Sequence, residues 1–188
     1  MSRRVAVAVA LAAALVLGGA ALATAPGGLE RFVGTYVGVA DETGAEDPSR
    51  SRRDIDLVIS LEAYGALRVA WSNVTLVNGR RDVPGVERRV EEVRLVPAPD
   101  RDFYLARQAY DPFTERRQPD PLGGDALRWA TVAGDTLRTY SLAILDDGTY
   151  ELQTYDRTLT PDGIRLDWRR SVDGQVVRQA TGHAVRAE

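Results

Sequence analysis

The feature that most constrains this chain is the rhythm of its turns. In the last third, Ala133-Gly134-Asp135, Asp146-Asp147-Gly148, Pro161-Asp162-Gly163 and Val172-Asp173-Gly174 follow one another at intervals of 11 to 15 residues. Asp or Asn beside Gly supplies the positive φ that a tight hairpin needs. That spacing is the mark of an antiparallel meander. Earlier in the chain, Ala63-Tyr64-Gly65 and Val77-Asn78-Gly79 sit between similar strand-like runs.

The runs between the turns carry the period-two pattern of half-buried strands. Ile55, Leu57, Ile59 and Leu61 alternate with Asp54, Asp56, Val58 and Ser60, and Ile164, Leu166 and Trp168 alternate with Arg165, Asp167 and Arg169. Counting in this way predicts about ten strands, over 32–40, 54–62, 66–76, 87–96, 103–108, 127–132, 136–145, 149–159, 163–171 and 175–186. The run 87–96 also fits a helix face, and 137–145 is mixed on both faces. Positions 41–53 and 109–126 read as loops. A meander of eight to ten strands removes its exposed edges by closing on itself. The expected fold is therefore all-β, an antiparallel up-and-down meander closed into a barrel; a β-sandwich is the alternative.

The run Phe32-Val33-Gly34-Thr35-Tyr36-Val37-Gly38 resembles the G-x-W opening of the first strand in lipocalin-like, or calycin-type, barrels, with Tyr36 where Trp is usual. The resemblance implies that the Tyr36 ring plugs one end of a barrel and that an arginine from a late strand packs over it, Arg178 or Arg169. It also implies a small hydrophobic ligand inside. The chain is similar, too, to uncharacterised exported bacterial proteins, an impression strengthened by Tyr155-Asp156-Arg157-Thr158-Leu159-Thr160-Pro161-Asp162-Gly163.

The start of the chain reads as an address. Arg3 and Arg4 precede an apolar run from Val5 to Leu17, and Ala21-Leu22-Ala23 offers an A-x-A cleavage pattern. This is the order of a secretory signal peptide. We expect a signal peptide over 1–23, a single domain over 24–188, and a periplasmic or secreted product. An uncleaved anchor is the alternative, because Val5 to Ala25 is just long enough to span a bilayer. No later stretch is that long and apolar. The absence of lysine among the 24 basic residues suggests a GC-rich bacterial genome.

Composition excludes much chemistry. There is no cysteine, so disulfides, thiol nucleophiles and thiolate metal sites are out. Without lysine there is no Schiff base and no P-loop lysine. The formal charge is −3, and removal of Arg3 and Arg4 leaves 22 arginines against 27 acids. Such a domain is a poor partner for nucleic acid or an anionic membrane surface. The doublets Arg52-Arg53, Arg80-Arg81, Arg88-Arg89, Arg116-Arg117 and Arg169-Arg170 read first as solvated faces, and second as local anion sites.

The one histidine, His183, has no G-x-S-x-G elbow to serve and no second histidine or cysteine to share a zinc ion. Asp146-Asp147-Gly148 reads as a turn, and the acids from Asp41 to Asp47 match no calcium loop. No catalytic residue, metal or cofactor is predicted. The aromatics remain: Trp71, Trp129 and Trp168 fall in predicted strands, and with Tyr36 and Tyr140 they are the candidate lining of a barrel interior, as core or as ligand pocket. Three readings follow: a carrier of a small apolar or amphipathic ligand, an envelope interaction protein with a filled barrel, and, last, an enzyme using carboxylates or tyrosine.

Overall fold

In a computed structural model the described residues are 28–45, 47–98, 103–106 and 119–187. The expected signal peptide, most of the predicted 109–126 loop and residues 107–108 of the fifth predicted strand lie outside them. Ten antiparallel strands follow in chain order: β1 (Gly34–Thr43), β2 (Arg52–Leu61), β3 (Leu67–Thr75), β4 (Glu87–Pro97), β5 (Phe103–Ala106), β6 (Leu127–Ala133), β7 (Thr136–Ile144), β8 (Tyr150–Leu159), β9 (Gly163–Val172) and β10 (Gln175–Ala187). Each pairs with the next, and β10 returns to β1, closing the barrel. This architecture has no unpaired sheet edge among the described residues. Among the described residues, too, no helix is long and apolar enough to cross a membrane.

Turn chemistry explains the hairpins. Asp173 and Gly174 both take positive φ, 48° and 80°, between β9 and β10, and Tyr64 and Gly65 do so at 61° and 72° between β2 and β3. Closure between β1 and β10 depends on small residues. A Cβ on Gly38 would sit 2.0 Å from the His183 carbonyl oxygen, so only glycine fits there.

The 41–53 loop is shorter than the sequence suggests. Asp41 pairs with Arg52 in the β1–β2 ladder, and Glu42 lies inside with Arg53. Polar residues at these positions read as loop, but they are strand residues at a charged barrel mouth. The 87–96 run is a strand, β4, in continuous register with β3.

One half of the barrel is solid. Leu29 and Phe32, from a 3-10 turn before β1, close the end together with Tyr36, Ile59, Leu67, Val69, Leu95, Tyr104, Leu137 and Ile164, all essentially inaccessible. Tyr36 donates its hydroxyl hydrogen to the Phe32 carbonyl at 2.8 Å. The arginine over its ring is Arg186, with its guanidinium carbon 4.9 Å from the ring centre. Neither expected residue serves. Arg186 is the direct register partner of Tyr36, whereas Arg178 lies at the other end, opposite Arg170 on β9, and Arg169 is solvent-exposed.

Candidate functional site

The other half of the barrel is open, with a cavity of about 760 Å³. Its floor is an aromatic crossbar. Trp71 projects from β3 and Tyr155 from β8, strands five places apart in either direction round the barrel. Their ring centres are nonetheless 5.6 Å apart. Trp168 of β9 extends the arc, 6.4 Å from Tyr155. A run of polar side chains climbs from this floor toward the mouth. Tyr155 Oη and Trp168 Nε1 both donate to Gln153 Oε1, at 2.6 and 3.2 Å, and Gln153 Nε2 donates to Glu151 at 2.6 Å. Burial pushes the Tyr155 hydroxyl up to about 12, with nearby Glu91 adding to the effect, so it stays protonated.

Six arginines border the cavity: Arg53, Arg89, Arg128, Arg157, Arg170 and Arg178. Three have counter-charges. Glu42, with no exposed side-chain surface, holds Arg53 and Arg178, and Glu151 holds Arg170. Burial alone would raise the Glu42 carboxyl, but the hydrogen bonds from Arg178 and Arg53 bring it below its ordinary value. Arg89, Arg128 and Arg157 have no ion-pair partner among the described residues. Glu92, Asp156 and Asp167 are engaged instead by Arg68, Arg138 and Arg165. An acidic chain thus encloses an arginine-rich space.

Arg157 is the deepest of these cations, only 3% exposed. Its guanidinium carbon lies 5.5 Å from the Trp71 ring centre and 5.7 Å from that of Tyr155. Nη1 donates to Thr139 Oγ1 at 2.9 Å and, less closely, to the Tyr155 carbonyl at 3.4 Å. Burial pushes its pKa down to about 10, so it remains charged at neutral pH.

The five aromatics expected to line the interior separate. Trp71 and Trp168 face the cavity. Tyr36 is in the plug, within the packed core. Trp129 and Tyr140 border the cavity through the barrel wall, but alternation puts their side chains opposite to those of buried Ala130 and Thr139. There they stack ring on ring at 4.7 Å and 7°. Of the five, Trp71, Trp129, Tyr140 and Trp168 border the cavity and Tyr36 does not; only the side chains of Trp71 and Trp168 point inward, and neither β6 nor β7 shows in its sequence which face is apolar. Sequence reading missed Tyr155 and Arg157 as site residues, although their run was singled out. It also read Arg53, Arg89 and Arg170 as parts of solvated doublets, whereas one member of each faces the cavity.

His183 Nε2 meets both Asp162 Oδ1, at 3.2 Å, and Thr160 Oγ1, at 3.3 Å. With acid and hydroxyl on the same ring nitrogen, no proton relay of the triad type is formed. Among the described residues no three His, Cys, Asp or Glu side chains converge to hold a metal ion.

Fold and cavity define a closed β-barrel that can enclose a ligand. No protein-family model matches the chain, and no curated relative matches it. Among solved structures, the chain is similar to the S-type phycobiliprotein lyase CPES from Guillardia theta, at 11% identity, over 85% of this chain and 90% of that one, with a TM-score of 0.35.

Proposed function

We propose that this chain is an exported binding protein that holds a small amphipathic molecule in the open half of its barrel. The observation that carries the reading is the cavity of about 760 Å³ above an aromatic floor, in a barrel whose other half is fully packed. Ligand sites combine apolar surface with a few placed polar groups. Here Trp71, Trp168, Ile55, Leu57 and Leu166 supply the first, and the arginines and Gln153 the second. The wall is more polar than a carrier of purely hydrophobic molecules requires. Arg3-Arg4 and the apolar run after them support export.

The test is native and denaturing mass spectrometry of the chain expressed from Thr24. A specific adduct that is released on unfolding, and lost when Trp168 is replaced by Ala in a protein that still folds, supports the reading. No adduct, and no uptake of any amphipathic probe in solution, counts against it.

A further inference from the structure

Resting on that reading of the cavity, we infer that the ligand is a planar organic acid, its carboxylate paired with Arg157 and its flat body lying against the Trp71–Tyr155–Trp168 arc. Arg157 is a buried cation without a counter-anion among the described residues. Burying a charge is costly unless it is paired. The inward acids Glu42 and Glu151 are already taken by other arginines, and Glu91, which also faces the cavity, makes no ion pair with Arg157. A guanidinium has five N–H donors. Both of its protein acceptors, Thr139 Oγ1 and the Tyr155 carbonyl, use Nη1, which leaves Nε and Nη2 without an acceptor among the described residues. Two donors on one planar fork match the two oxygens of a carboxylate.

The charge of the ligand follows from the wall. Six arginines face the cavity, against the inward carboxylates Glu42, Glu91 and Glu151, so a cation is disfavoured. The shape follows from the floor. Below the crossbar the barrel is filled by side chains that are essentially inaccessible, so no tunnel receives a long alkyl chain. The broad apolar surfaces within the cup are aromatic faces, which pair best with another flat π-system.

Isothermal titration calorimetry on the chain from Thr24 decides the matter with three probes: 2-naphthoate, its neutral isostere 2-naphthamide, and decanoate. We expect 2-naphthoate to bind one per chain, about 10- to 100-fold more tightly than the amide, the range set by a charge-assisted hydrogen-bonded pair. Decanoate should be the weaker of the two acids. In R157M the naphthoate should fall to the affinity of the amide, while the amide is unchanged. Equal binding of acid and amide overturns the inference and leaves the cavity standing as a ligand site. So does decanoate as the tightest probe. Naphthoate binding unchanged in R157M removes Arg157 from the role. No binding by any of the three overturns both this inference and the ligand-binding reading. If R157M does not fold, as judged by circular dichroism, the ranking of the three probes on the unaltered chain still decides.

Discussion

Of the arginines that lie against aromatic rings in this barrel, Arg186 and Arg157 differ in how far their hydrogen bonds are satisfied. Arg186 packs on Tyr36 at the closed end. It donates to the Tyr36 hydroxyl at 2.8 Å, to the Arg31 carbonyl at 2.9 Å and to the Val33 carbonyl. Arg157 packs on Trp71 and Tyr155 at the floor of the open half, with one good acceptor, Thr139. The first ties three segments of chain together. The second holds donors in reserve. The residue types are nearly the same, so what separates a structural pair from a candidate site is whether the polar atoms are already used.

The largest test of the closed end is Tyr36→Ala. It removes a fully buried ring against Phe32 and empties the plug. Aromatic-to-alanine changes in cores cost about 3–5 kcal/mol, and urea unfolding should show a loss of that size. Tyr36→Phe keeps the ring and loses only the hydroxyl, so its cost should be near 1 kcal/mol. Equal losses for the two would mean that the hydroxyl's hydrogen bonds, rather than the ring, hold the plug.

Next in size is Glu42→Gln at the mouth. Glu42 is buried between Arg53 and Arg178, and removing its charge leaves both cations facing one another. Glu42 is fully buried while the Arg53 and Arg178 side chains are 20% and 41% exposed, so the loss should be about 2–3 kcal/mol. The effect depends on pH. The folded carboxyl titrates below its unfolded value, so its contribution is complete above the ordinary carboxylate range and is lost as pH falls through the folded value. An acid titration of stability should therefore show a steeper fall in the parent than in the Glu42→Gln variant. Parallel acid limbs would show that other carboxylates govern acid unfolding.

These two ends were not equally legible in the sequence. The ten strands could be read, because tight turns and a period-two apolar face are local signals, and Tyr36 as a plug was implied by the resemblance of its run to the G-x-W opening. Asp173-Gly174 announces its hairpin whatever the rest of the chain does. The mouth was harder. Its inner face is charged, so Asp41, Glu42, Arg52 and Arg53 broke the apolar alternation and read as loop, although they lie in β1 and β2. Whether Trp129 points in or out depends on which face of β6 meets the core, and Leu127-Arg128-Trp129-Ala130 does not declare it. That Arg186 rather than Arg178 reaches Tyr36 depends on the register of strands 150 residues apart in sequence. The crossbar joins residues from opposite walls, which no local pattern can show.

Smaller again is Arg186→Met, which strips the Tyr36 hydroxyl and two carbonyls of a donor. At this exposed position water can replace part of that hydrogen bonding, so a decrease of about 1 kcal/mol is expected, read as a lower urea midpoint at unchanged m-value.

The smallest effect should also have a different sign. Arg157→Met in the ligand-free protein exchanges a buried cation that has no counter-anion among the described residues for an apolar side chain of similar length. Where a buried charge lacks a partner, such exchanges are neutral or stabilising. Against this stands the hydrogen bond to Thr139, which methionine cannot make. The cation–π interactions with Trp71 and Tyr155 also oppose the gain, each worth about 0.5–2 kcal/mol. The expected outcome is a urea midpoint equal to or slightly above that of the parent, while Arg186→Met falls below it. A drop in stability in Arg157→Met as large as in Glu42→Gln would make Arg157 a second structural arginine, held for the crossbar's sake, and would erase the contrast between the two ends. Opposite signs at the two arginines would instead show that the barrel tolerates a cost at its floor that it does not bear at its plug. A cost retained at the place where the cavity opens is what a group kept for a ligand requires.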